Sequence, residues 1–205
     1  MPNWCSNWIV ISGDEKKIKT IKFALQSLKD NKDDNGIFKA LIGTKPGISK
    51  ENYDNGGWYD ANLSFWGTKW DISYDEVNFN FDDKSISFSG DTAWSPPIEF
   101  AKELARTYGV DVELQYSESG NDFAGKTKCS ADGAIEELDY SYIEGTYHND
   151  IESFWNEVAS YISYSLDDEP ETTFEEFVES YTLSFLSEDE LNEVKKIFDE
   201  NKQNC

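Results

Sequence analysis

Trp4-Cys5-Ser6-Asn7-Trp8-Ile9-Val10-Ile11-Ser12 is the stretch on which the fold turns. Trp4, Trp8 and Val10 share one parity and Cys5, Ile9 and Ile11 the other, a pattern that predicts a strand buried on both faces. From about Asp14 to Lys29 the period changes to that of a helix. Ile18, Ile21, Leu25 and Leu28 form its stripe, five lysines lie outside it, and the run Asp30 to Gly36 ends it. Further on, Val77, Phe79 and Phe81 alternate with polar residues. After the turn Asp82-Asp83-Lys84, Ile86 and Phe88 do the same, which predicts a hairpin.

Ser95-Pro96-Pro97 predicts a helix start with Ser95 as N-cap and proline at the first helical position. Ala101, Leu104, Ala105 and Tyr108 form the buried stripe of that helix, and Gly109 is the expected stop. Val110, Val112, Leu114 and Tyr116 alternate as a strand, and shorter strands are expected near Phe123 to Lys128 and Ala134 to Tyr142. The order is βαββαβ with extra strands, an α+β class. Ile37 to Trp70 breaks both periods. It is rich in Gly, Asn and aromatics, as in Tyr53-Asp54-Asn55-Gly56-Gly57-Trp58-Tyr59, and is expected as a long irregular insertion.

The remainder is helical in period. Ile151, Phe154, Trp155, Val158 and Ile162 mark one helix, Phe174, Phe177, Val178 and Tyr181 a second, and Leu191, Val194 and Phe198 a third. Thr173 with Glu176, and Ser187 with Glu190, have capping-box spacing. Residues 1–145 are expected as one domain and 146–205 as a helical extension packed on it, with the free sheet face as the nearest surface for its apolar stripes.

Charge divides the chain in the same way. Of its 205 residues, Ser130 to Cys205 contain 21 acidic and 3 basic side chains, net −18, whereas Met1 to Cys129 contain 20 and 15, net −5. Such a field repels nucleic acid and membranes and attracts basic protein surfaces. The 31 aromatic residues argue for a folded chain. No apolar run approaches a membrane span and no secretory leader is indicated, so a cytoplasmic location is expected. Cys5, Cys129 and Cys205 suit reduced thiols, and no zinc or iron–sulfur spacing is present.

Four segments together carry a resemblance: Met1-Pro2-Asn3-Trp4-Cys5-Ser6-Asn7, Trp66-Gly67-Thr68-Lys69-Trp70-Asp71, Thr92-Ala93-Trp94-Ser95-Pro96-Pro97, and Tyr116 through Asp122-Phe123-Ala124-Gly125. In this order they resemble the YubB-type ferredoxin-like family of phages and plasmids, over about residues 1–125. The resemblance implies a ferredoxin-like βαββαβ antiparallel sheet and a mobile-element origin, and it implies no activity. "Ferredoxin-like" describes topology here, because three scattered cysteines do not hold a cluster.

Two candidate sites follow. The acids Asp167, Asp168, Glu169, Glu171, Glu175, Glu176 and Glu179 would bind a basic host protein, one that itself binds nucleic acid, by standing in for DNA phosphates; solubility alone is the competing account. The alternative is a small-molecule or nucleotide site at Trp58, Trp66, Lys69, Trp70 and Asp71, with Asn3, Asn7 and Trp94 brought close by the sheet. The same Trp residues can instead plug the sheet, with Lys69 and Asp71 pairing or capping backbone and Asn3 and Asn7 satisfying it.

Asp60, Asp71, Asp91 and Asp122 lie near loop ends but lack metal-ligand spacing. His148, in a stretch Tyr147-His148-Asn149-Asp150 that reads as a helix lead-in, is alone. Gly120 to Gly125 lacks the context of a phosphate loop and reads as a turn and strand. No catalytic residue, metal or cofactor is assigned, and direct binding to nucleic acid is not expected.

Overall fold

A computed structural model describes residues 3–30 and 35–203. Met1, Pro2, Asn204, Cys205 and residues 31–34 of the run after the first helix lie outside them. The chain divides into two compact units: Met1–Asn121 with Gly125–Asp139, and Asp122–Ala124 with Tyr140–Cys205.

In the first unit, β1 (Trp4–Ser12) leads into α1 (Glu15–Gln26), whose N-terminus is capped by Asp14 accepting from the Lys17 N–H, and a 3-10 turn, Ser27–Asp30, closes it. The hairpin β2 (Asn80–Phe81) and β3 (Ser85–Ala93) follows, after a mainly helical stretch that comes between. The two strands are joined through the expected Asp82-Asp83-Lys84 turn. Strands β4 (Asp111–Glu118), β5 (Phe123–Cys129) and β6 (Ile135–Tyr140) complete a six-stranded antiparallel sheet in the order β2-β3-β1-β4-β5-β6. Its first four positions are the βαββαβ arrangement read from the sequence. β1 runs antiparallel to both neighbours, with Ile9 opposite Phe88 on β3 and Leu114 on β4. That register puts three large side chains on one face, where Cys5, Ile9 and Ile11 are fully buried.

The other face of β1 corrects the expectation of two-sided burial. Trp4 is 51% and Trp8 44% exposed. Their cross-strand partners explain why: Ser6 faces Asp91 and Ser117, and Trp8 faces Ser89 and Gln115. The neighbouring strands are polar on that face, so the tryptophans stand on a polar surface.

The insertion is also corrected. It is largely helical: α2 (Ile37–Ile42), one turn α3 (Lys50–Asn52), a π turn Tyr53–Gly57 and α4 (Trp58–Trp66). The helical period was hidden because Asn55 and Gly56 leave helical geometry, Gly56 at φ +107°. Burial of Phe38 and Trp66 carries these helices. Phe38 packs 4.1 Å from Phe100 and 5.9 Å from Trp66 between ring centroids, each buried ring contributing roughly 2 kcal/mol. Before the hairpin, Tyr74–Glu76 forms a 3-10 turn, so the strand expected from Val77 shortens to Asn80–Phe81.

The helix α5 (Ile98–Tyr108) has Pro97 as its N-cap. Ser95 is not the cap, because its hydroxyl donates to the Gly67 carbonyl at 2.7 Å. Gly109 ends the helix in the left-handed region at φ +62°, as expected. β4, β5 and β6 follow.

The second unit contains α6 (Tyr142–Asn149), α7 (Ile151–Asp168), α8 (Phe174–Ser180) and α9 (Glu188–Lys202). Tyr147 to Asn149 form the last turn of α6, and Asp150 leads directly into α7 as its N-cap, so the expected helix lead-in is present at Asp150 while the residues before it are already helical. Phe154, Val158, Ile162 and Leu166, four residues apart, form one stripe on α7. They share a core with Phe177, Leu183, Leu186, Val194 and Phe198. Both expected capping boxes are closed, Thr173 with Glu176 and Ser187 with Glu190. Among the described residues no helix is long and apolar enough to cross a membrane.

Candidate functional site

The motif residues of the first unit form one hydrogen-bonded corner. Asn7, buried on β1, donates to the Cys5 carbonyl at 2.8 Å, the Gly90 carbonyl at 3.0 Å and Thr92 Oγ1 at 2.9 Å. Thr92 donates onward to the Ser95 carbonyl at 2.8 Å, and Thr68 Oγ1 donates to the Ala93 carbonyl at 3.1 Å. With the Ser95–Gly67 bond, these contacts fasten the Gly67–Thr68 turn to the end of β3. Asn7 therefore works as a structural clamp with its polar atoms consumed. Burial pushes the neighbouring Cys5 thiol up to about 12, outweighing its hydrogen bond with Thr92, so it is no nucleophile.

Asp71 and Trp66 are likewise structural. Asp71 accepts from the backbone N–H groups of Phe38 at 2.7 Å, Lys39 at 2.9 Å and Ile72 at 2.8 Å. It thereby caps α2, whose own N-cap, Gly36, has no side chain to offer. Trp66 is buried, and its indole donates to the Gly43 carbonyl at 3.0 Å. Asn62, which the sequence did not single out, is buried beside them; it accepts from the Tyr53 hydroxyl and donates to the Lys69 carbonyl. Trp58 is half-buried against Tyr59. Asn3 lies 3.5 Å from Glu118, and its carbonyl accepts from the Trp94 N–H.

What remains open is aromatic. Trp70 is 39% exposed, its ring 6.1 Å from that of Trp4, and Lys69 Nζ stands 4.3 Å over it. Trp94 is 48% exposed with φ +74°, a left-handed conformation costing about 1–2 kcal/mol in a residue with a Cβ. Beside Trp4 lies a recess of about 470 Å³ lined by Trp4, Ile72, Glu76, Ser89, Gly90 and Asp91. None of the alternative-site residues lines it; Trp70 approaches it through Trp4, while Asn7 and Asp71 touch its lining residues Gly90 and Ile72 only through hydrogen bonds to their backbone. Glu76 was missed, as a single acid in a turn carries no signal in sequence.

The four metal-candidate acids do not meet. Asp71 caps α2, Asp91 accepts from Ser6, and Asp122 accepts from the Tyr142 N–H. Asp60 sits in the first turn of α4. Among the described residues, no three His, Cys, Asp or Glu side chains could hold a metal ion.

In the second unit the seven partner-site acids fall at the α7–α8 junction. Asp167 and Asp168 end α7, Glu169 and Glu171 occupy the connection, and Glu175, Glu176 and Glu179 lie on α8, all exposed. Glu169, Glu171 and Glu176 line one recess of about 620 Å³. Glu176 is committed to its capping box; the Thr173 N–H and hydroxyl hold its carboxyl below the usual range. Among the described residues, the other six side chains make no hydrogen bond or ion pair. The unit's three lysines are spent elsewhere. Lys195 lies over Phe174, Lys196 meets Glu193 at 3.7 Å, and Lys202 donates to the Thr172 carbonyl at 2.7 Å.

Residues 65–183, more than half of the chain, match the family model described as the ferredoxin-like domain in Api92-like protein. The chain belongs to this family. The match starts at the Trp66 motif and continues through the strands and α8, well past the Gly125 limit of the resemblance seen in the sequence. A crystal structure of protein api92 from Yersinia pseudotuberculosis aligns over 69% of this chain and 99% of its own, at 10% identity and a TM-score of 0.47. No curated protein matches the chain.

Proposed function

We propose that the protein is a non-enzymatic, mobile-element protein of the YubB-type family that acts in the host cytoplasm. Its C-terminal acids bind a basic surface of a host protein that handles nucleic acid, and so block that surface. The observation that carries this reading is the set of six exposed carboxylates, from Asp167 to Glu179, with no hydrogen-bond or ion-pair partner among the described residues. A domain needing charge only for solubility requires a net magnitude of about 2–8. Unpaired carboxylates on fixed helices can instead occupy sites meant for phosphates, spaced about 1.7 Å along the axis of duplex DNA. A nucleotide at the aromatic segment is disfavoured, because Trp66, Asp71 and Asn7 are structural and the open recess carries Glu76 and Asp91.

The test is affinity capture from host lysate at low and high salt, with the wild-type chain and a D167N/D168N/E175Q/E179Q variant. Any captured protein is then titrated with duplex DNA. The expected result is salt-sensitive capture by the wild type alone, with DNA and the acidic protein excluding one another. Equal capture by the variant, or simultaneous binding of DNA, would overturn the reading.

A further inference from the structure

The recess beside Trp4 combines two features that occur together nowhere else among the described cavities: an exposed indole face and two carboxylates, with no lysine or arginine in the lining. We propose that it seats an arginine side chain presented by a segment of a partner protein. This site lies in the first unit and does not rest on the reading of the C-terminal acids.

The sheet register builds the site. Ser6 on β1 stands opposite Asp91 on β3, which places Trp4, Asp91 and Ser89 on the same face of the sheet. Ser6 Oγ donates to Asp91 at 2.9 Å, fixing one carboxylate oxygen and leaving the other free to accept. Glu76 is held at the rim by the 3-10 turn, and its side chain makes no hydrogen bond or ion pair among the described residues. The buried Ile72 lines the recess, and Gly90 makes room for it; a Cβ at Gly90 would lie 3.0 Å from two Ile72 carbons. Lys69, the nearest cation in sequence, already lies over Trp70 and is not part of the lining.

Chemistry selects the occupant. A phosphate or carboxylate ligand would be repelled by Glu76 and Asp91. A cation gains from both acids and from the indole quadrupole. Guanidinium fits better than ammonium: it is planar, so it can lie flat on Trp4, its N–H groups fork toward carboxylate oxygens, and it sheds water more readily.

The test follows indole N–H resonances in the full chain by NMR during titration with capped Gly-Arg-Gly, Gly-Lys-Gly and Gly-Glu-Gly peptides and with methylguanidinium. Assignments come from W4F and W70F. The expected result is saturable movement of the Trp4 and Trp70 signals by the arginine peptide, with affinity reduced at least tenfold in E76Q/D91N and unchanged in D167N/D168N/E175Q/E179Q. Thermal midpoints show whether each variant is folded, and W4L supplies a second disruption of the site. Equal binding of the lysine or glutamate peptide, or undiminished binding in E76Q/D91N or W4L, would overturn the proposal. Loss of binding in the tail variant would do the same, since the signal would then report the second unit. Methylguanidinium binding as tightly as the peptide would overturn the partner-segment assignment in favour of a small-molecule site.

Discussion

The Asn7 side-chain amide lies 2.9 Å from Thr92 Oγ1, across the β1–β3 pair and 85 residues apart in sequence. The same amide also bonds the Cys5 and Gly90 carbonyls, so one residue serves three acceptors inside the sheet. Asn7→Ala leaves buried acceptors without a donor and is expected to cost about 2 kcal/mol. Urea denaturation checks this. Thr92→Val removes the hydroxyl that relays to Ser95, and its effect is expected to be less than additive with Asn7→Ala, because the two residues share one network.

Asp71 and Gly36 make a second long-range pair. A Cβ at Gly36 would fall inside van der Waals contact of the Asp71 carboxylate, so the cap for α2 requires glycine at that position. Asp71→Ala removes the cap and is expected to destabilise the first unit by about 1 kcal/mol. Gly36→Ala destabilises by displacing Asp71. In the Asp71→Ala background, the same Gly36→Ala change is expected to cost less than in the wild type, since the carboxylate is gone and only the position-71 Cβ, 3.3 Å away, must yield. Additive losses in a double-mutant cycle would show that the two do not interact.

These pairs mark the limit of what the sequence could show. Strand β1 and both capping boxes were legible because their signals are local: side-chain parity over nine residues, and Thr or Ser three residues before Glu. Asp71 was legible as a residue able to cap backbone, but not as the cap of a helix 33 residues upstream, because only the tertiary fold brings them together. Ser95 misled for the same reason. A serine before two prolines is a good N-cap, yet the Gly67 carbonyl competes for its hydroxyl and wins. The apolar parity of Trp4, Trp8 and Val10 points to burial, whereas the exposure of the two tryptophans is set by Ser89, Asp91, Gln115 and Ser117 on the flanking strands.

The capping boxes of the second unit predict its response to acid. Glu176 is held below its usual value of 4.5 first by the Thr173 N–H, and Glu190 first by the Ser187 hydroxyl. A carboxyl whose folded pKa is depressed contributes stability that is fully present above the unfolded pKa and is lost as pH falls through the folded one. The wild type is therefore expected to lose stability relative to an E176Q/E190Q variant as pH drops below about 4.5, with a constant difference between pH 5.5 and 7. The comparison matters, because protonation of the many other acids relieves repulsion in both proteins alike. Thermal midpoints from pH 3 to pH 7 measure it; a difference independent of pH would mean that the glutamates do not depend on charge to cap.

Asp167 and Asp168 sit at the C-terminal end of α7, where the helix dipole is negative and the last turn carries no basic residue. Acids belong at the opposite end, and each misplaced one typically costs a few tenths of a kcal/mol at low ionic strength. Replacing both by asparagine is expected to raise stability by roughly 0.5 kcal/mol, with the gain shrinking in 0.5 M salt as screening removes the unfavourable term. A residue pair that works against its own helix is retained either by accident or because its charge is used outside the fold. The two cases separate in one experiment: denaturation and partner binding measured on the same Asp167→Asn, Asp168→Asn protein. A protein that gains stability and loses its partner assigns these carboxylates to binding, whereas one that gains stability and keeps its partner removes them from the interface.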